Sequence, residues 1–148
     1  MKLNPDCIRD IMLFCEEHTY IRAEDCGGMI TASYHALYID SMRLNPQLSG
    51  YSAGEIIYHV IQLSDSGYIA TDFHFDPEIN FRRAELPVIY YVTPKGHDFI
   101  ASITAKGSWA KTSEILKSLK SVSMSAIETI AKGVTSAIID RYIAGSPG

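Results

Sequence analysis

Five histidines, three cysteines and 17 carboxylates carry the acid-base, nucleophilic and metal-binding capacity of this 148-residue chain. Their spacing organises little of it. His35, His59, His74 and His97 fall in separate elements, and none pairs with a cysteine at ligand spacing, so no metal site is expected. Cys7, Cys15 and Cys26 lack CxxC spacing, and the first two sit on one expected helix about 12 Å apart by helix rise, beyond disulfide reach. They read as reduced thiols of a cytoplasmic protein. Cys26, beside Gly27-Gly28, has no partner placed to activate it as a nucleophile. No GxGxxG, P-loop, GxSxG or HExxH motif occurs, so neither a cofactor nor a catalytic residue is expected and the chain does not read as an enzyme. The nine tyrosines read as half-buried core rather than as a stacking platform for single strands.

Recognition chemistry remains, and charge sorts it. The formal net charge of -4, from 13 Lys+Arg against 17 Asp+Glu, excludes a generally basic nucleic-acid binder. The average hides two unlike halves. Residues 1–80 hold 4 Lys+Arg and 12 Asp+Glu, a balance of -8, whereas residues 81–148 hold 9 and 5, a balance of +4. Arg82, Arg83 and Lys95 could grip a phosphate backbone, and Lys106, Lys111, Lys117, Lys120 and Lys132 extend a basic surface along the last helices.

The elements that must position these side chains follow from local signals. Asn4-Pro5-Asp6 reads as an N-cap, a first-turn proline and a dipole-favoured acid, opening a helix to about His18 with Cys7, Ile8, Ile11, Met12, Phe14 and Cys15 on its buried side. Thr19 to Gly28 is polar, and Met29 to Ile39 is rich enough in β-branched and aromatic residues for a strand, although it could also begin as helix. Ser52-Ala53-Gly54-Glu55 is a capping box, and Tyr51 with Ile56 sits at hydrophobic-staple positions. That helix turns Ile56, Ile57, Val60, Ile61 and Leu63 inward and Glu55, Tyr58, His59, Gln62 and Ser66 outward, and Gly67 ends it.

Tyr68 to Phe75 and Val88 to Thr93 read as two antiparallel strands joined by a long β-loop, Asp76 to Pro87. Thr93-Pro94 restarts a helix that buries Phe99, Ile100 and Ile103 and ends at Lys106-Gly107. Ser108 caps a further helix carrying Trp109, Thr112, Leu116 and Leu119. A second capping box, Ser125 with Glu128, precedes a stripe running from Ile127 through Ile130, Ala131, Val134 and Ile138 to Tyr142. The expected division is a first domain over 1–106 and a C-terminal helical hairpin over 107–148. No apolar leader or stretch of membrane-spanning length appears, and a cytoplasmic location without membrane contact is expected.

This order resembles a winged helix-turn-helix domain, an α+β fold with a two-stranded wing and here a C-terminal helical extension. The resemblance rests on Gly67-Tyr68-Ile69, where a helix turns into the first wing strand, and on Val92-Thr93-Pro94-Lys95-Gly96-His97-Asp98-Phe99-Ile100, where the second turns into a helix. The whole chain also resembles the bacterial and phage-carried domain-of-unknown-function family numbered 2513. The matching phrases are Lys2 to Ile11, Tyr51-Ser52 with Glu55-Ile56-Ile57-Tyr58-His59, Leu63, Gly67-Tyr68-Ile69, Thr93 to Phe99, Trp109 and Ser121-Val122-Ser123. That resemblance implies a winged-helix fold and a prokaryotic or prophage origin and brings no assigned activity; Arg22 to Gly50 matches least.

On a winged-helix fold, residues 52–66 would enter the major groove of double-stranded DNA. Tyr58, His59 and Gln62 would meet bases or phosphates, with Arg82, Arg83 and Lys95 beside the groove. That helix carries no Lys or Arg, and Glu55 and Asp65 oppose phosphate. Its acidic, aromatic face of Glu55, Tyr58 and Asp65 equally suits a protein-interaction module, a phage or prophage accessory protein docking on a host protein. A homodimer through residues 108–144 is the third partner expectation.

Overall fold

Local chemistry at Asn4 starts the first helix. In the computed structural model, which describes residues 1–72 and 86–145, Asn4 Oδ1 accepts from the Asp6 and Cys7 amides at 3.1 and 3.4 Å, and Pro5 opens α1, Pro5–His18. These residues answer the orphan amides of a helix start. The face bearing Cys7, Ile8, Ile11, Met12, Phe14 and Cys15 is buried, as its periodicity requires. The other side is tied to the C-terminal part of the chain. Trp109 Nε1 donates to Asp6 at 3.1 Å, and the Arg9 guanidinium lies 5.2 Å from the same indole.

A β-hairpin follows. β1 (Ile21–Cys26) and β2 (Met29–Tyr34) pair antiparallel around Gly27 and Gly28, whose φ of 68° and 91° give the twist a two-residue hairpin loop needs. Asp25 Oδ1 secures the turn by accepting from the Gly28 amide at 2.8 Å. Every residue of both strands is exposed. Sequence reading anticipates a strand only from Met29. Neither face of the ribbon meets the core, so no burial pattern marks β1.

The second sheet has three strands in the order β3-β5-β4, with β3 (Leu37–Tyr38) and β4 (Ile69–Thr71) both antiparallel to the central β5 (Val88–Val92). Between β3 and β4 in the chain lie α2 (Ile39–Arg43) and α3 (Ala53–Asp65). The expected strand from Met29 to Ile39 therefore resolves into β2, β3 and the start of α2. Most of the expected β-loop, including Arg82 and Arg83, lies outside the described residues.

Thr93 caps α4 (Pro94–Thr104), its hydroxyl accepting from the Gly96 amide at 3.1 Å and donating to the Gly67 carbonyl at 2.5 Å. Phe99, Ile100 and Ile103 are buried as expected. Two later caps differ from expectation. Gly107, at φ 78°, holds the N-cap of α5 (Ser108–Lys117), so Ser108 enters the first turn and is buried, its hydroxyl without a partner among the described residues. At the start of α6 (Met124–Gly145) the Ser123 hydroxyl accepts from the Ala126 amide at 3.1 Å. The box expected at Ser125 and Glu128 does not form, because Glu128 turns to Tyr68 and Lys132. Leu119, past the end of α5, is 41% exposed rather than buried.

One hydrophobic cluster joins α1 to α4 and the three-stranded sheet with Leu116 of α5 and Met124, Ile127 and Ala131 of α6. The stripe expected to reach Tyr142 stops earlier. Beyond Thr135, whose hydroxyl donates to the Ser102 carbonyl, Ile139, Tyr142 and Ile143 are 50%, 80% and 66% exposed. The architecture is mixed α+β, with six helices and two small antiparallel sheets among the described residues. None of these helices is long and apolar enough to cross a membrane.

Candidate functional site

Helix α3 carries most of the candidate residues. Its start is fixed by the capping box: the Glu55 amide donates to Ser52 Oγ at 3.2 Å, and the Ser52 amide donates to Glu55 Oε2 at 2.8 Å. Its end is fixed by Gly67 at φ 82°, a left-handed position a side chain would strain. Ile56, Val60 and Leu63 are buried, whereas Ile57 and Ile61, expected inward, are only half-buried.

The sequence-expected contacts separate into groups. His59 is 1% exposed and cannot meet DNA: its Nδ1 donates to the Glu55 carbonyl at 2.7 Å, and its Nε2 accepts from the Asn4 amide at 2.8 Å. The helical projection placed it outward because the group that covers it, the Asn4 amide, lies 55 positions earlier in the chain. Lys95 is also engaged. Its ammonium donates to the Ser66 carbonyl at 3.0 Å and lies 4.7 Å from the Tyr68 ring centroid, so it complements the C-terminal end of α3. Glu55 is half-buried and serves the cap, while Asp65 is exposed.

Tyr58 and Gln62 come together. They line one wall of a groove of about 610 Å³ whose other walls hold Lys2, Lys120 and the Ser121–Ser125 turn. Tyr58 donates to the Met1 carbonyl at 3.3 Å, which lays the first residues along this flank. Lys2 and Lys120 thus supply the positive charge that α3 itself lacks. No local signal joins Lys2 to α3; only tertiary folding brings it there. Of the other C-terminal cations, Lys132 bonds Glu128 at 2.7 Å, and Lys106 and Lys111 line a different groove.

The hydrogen bond from Lys132, then that from Tyr68, holds the Glu128 carboxyl below its ordinary range. Burial, followed by the bond to Glu128, raises the Tyr68 phenol, and burial together with Asp10 raises Tyr51. Burial pushes the Cys7 and Cys15 thiols up to about 12, so neither supplies a thiolate near neutral pH. Among the described residues no group of three or more His, Cys, Asp or Glu side chains is arranged to hold a metal ion.

The molecule is therefore a mixed α+β protein whose doubly anchored helix α3 borders a polar, lysine-bearing groove. It belongs to the family described as "Hypothetical protein (DUF2513)", whose model matches residues 2–123. The match ends at Ser123, the cap of α6. No match was found among curated proteins or among solved structures.

Proposed function

We propose that this chain is a winged-helix, transcription-regulator-like module of bacterial or prophage origin that contacts double-stranded DNA along the Tyr58–Gln62 flank of α3. The fold part of this reading is supported by two helices set between β3 and β4, and by a sheet in which the last strand lies between the other two. The single observation that carries the DNA part is the groove in which Lys2 and Lys120 stand beside Tyr58 and Gln62. Lysines supply the salt-sensitive phosphate contacts, and an amide such as that of Gln62 can pair with adenine.

Fluorescence anisotropy with a labelled duplex tests the reading. Affinity should fall linearly on a log-log plot against salt, and Lys2→Ala/Lys120→Ala should flatten that slope by about one per lysine removed. Arg82→Ala/Arg83→Ala should weaken binding as well. Absence of any salt-sensitive complex at low ionic strength, or variants indistinguishable from the parent, would overturn it.

A second reading keeps the fold and binds a protein through Glu55, Tyr58 and Asp65. It is favoured by the outer ridge of α3, where half-buried Ile61 sits beside exposed Asp65 and no cation belongs to the helix. Retention of a host protein by the parent and its loss in Asp65→Lys would support this reading; capture of nucleic acid alone would remove it.

A further inference from the structure

We propose that the groove between α5 and α6 is a docking site for an acidic amphipathic helix of another protein. The groove encloses about 660 Å³. Its floor is apolar, made by Ile115 of α5 and by Ile130, Val134 and Ile138 of α6. Its rim is cationic, made by Lys106, Lys111 and Arg141. From Ile130 to Arg141 the α6 wall runs about 16 Å at helical rise, the span over which a docked helix sets anchors at i, i+3 or i+4, and i+7. The floor offers nothing that reads a phosphate backbone or a base.

Charge identifies the occupant. Lys106 and Arg141 form no ion pair among the described residues, and Lys111 meets only Glu114, at 3.7 Å in an exposed pair that contributes little. A second copy seated across a two-fold axis would set this rim against its own cations, whereas an acidic helix would neutralise them.

Gly133 adds an independent observation. It lies mid-helix on the groove wall, where glycine costs a helix about 1 kcal/mol relative to alanine. A Cβ built there meets nothing within 4 Å, so no packing within this chain requires the glycine. Gly133 itself lines the groove. A large residue at 133 should therefore block the occupant without disturbing the fold.

The test uses the full chain and two labelled helical peptides with identical leucine anchors, one flanked by glutamates and the other by lysines. The acidic peptide should bind about ten-fold or more tightly than the basic one at low salt. Gly133→Leu should abolish that preference while its thermal midpoint stays at or above the parent's. Lys106→Glu/Lys111→Glu should reverse it, so the test survives even if Gly133→Leu folds poorly. Lys2→Ala/Lys120→Ala should leave peptide binding unchanged, which separates this surface from the α3 groove. Equal affinity for both peptides would overturn the proposal, as would indifference to Gly133→Leu and to the charge reversal. A dimer detected by light scattering that Gly133→Leu dissociates would assign the groove to a second copy, and loss of duplex binding in Gly133→Leu would assign it to DNA; either result overturns the acidic-helix assignment.

Discussion

Helix α1 and the β1-β2 hairpin are neighbours in sequence and opposites in attachment. Along α1, Cys7, Ile8, Ile11, Met12 and Cys15 are entirely removed from solvent, while no residue of the hairpin strands is buried. The hairpin is held at its base. Tyr20 stacks on His35 with centroids 4.6 Å apart, and Tyr34 lies 5.2 Å from Tyr91 of β5. A two-stranded hairpin is marginal alone in water, so this one depends on a well-formed turn and an aromatic footing rather than on a core. Stability should therefore be concentrated in the body formed by α1, α3 and α4, and nearly absent from the arm.

The largest expected effect tests the body at its tightest point. A Cβ added at Gly96 would overlap the Tyr68 carbonyl oxygen and stand 2.7 Å from Val92 Cγ1 and 3.1 Å from Met12 Cε. Backbone cannot yield as a side-chain tip can, so Gly96→Ala should cost about 3 kcal/mol or more in urea denaturation. A near-neutral result would show that α4 does not pack this closely on the Gly67-Tyr68 turn. Next comes Ile11→Ala, which removes a fully buried side chain and should cost about 2–5 kcal/mol by the same measurement.

What sequence reading could reach divides along the same line. The caps at Asn4, Ser52 and Thr93 are chemistry between residues two or three apart, and each forms as expected. The box read at Ser125 and Glu128 does not form, because Glu128 finds a partner in Tyr68, 60 positions away, and the cap falls to Ser123. His59 shows the same limit. A projection knows only its own helix, and the Asn4 amide that closes over the imidazole lies 55 positions earlier. The arm was legible only in part: β2 falls within the stretch rich in β-branched and aromatic residues, whereas Ala23, Glu24 and Asp25 give β1 a low strand propensity. Of the candidate site, Tyr58 and Gln62 were legible from the α3 projection, but their juxtaposition with Lys2 and Lys120 was not.

Ser52→Ala should cost about 1 kcal/mol, by leaving the Glu55 amide without its side-chain acceptor. Denaturant titration measures it, and a loss near zero would mean that water replaces the cap at no cost. Glu128→Gln should have a smaller effect, and one that depends on pH. The Glu128 carboxyl is held below its ordinary value by Lys132 and then by Tyr68, so the folded state favours the charged form. The stability this contributes is present above the unfolded value near 4.5 and is lost as pH falls through the lower folded value. Parent and Glu128→Gln should therefore differ near neutrality and converge in acid. A gap that widens as pH falls would reverse the sign and show that Glu128 is not stabilised as a carboxylate.

The smallest expected effect belongs to the arm. Strand register puts Ile21, Ala23, Asp25, Ile30, Ala32 and Tyr34 on one largely apolar face of the ribbon, opposite a face bearing Arg22, Glu24, Cys26, Met29, Thr31 and Ser33. Away from Tyr34 at its base that face is uncovered, with Ile30 75% and Ile21 61% exposed. A residue that gives up little contact with water on folding has little to lose by truncation, so Ile30→Ser should change stability by no more than about 0.5 kcal/mol. Ile11→Ala provides the internal standard, since both substitutions remove apolar side-chain carbon from an isoleucine and differ chiefly in burial. If Ile30→Ser instead cost about 2 kcal/mol, the ribbon would have to fold its apolar face onto the body in solution, and the contrast between a packed body and a free arm would collapse.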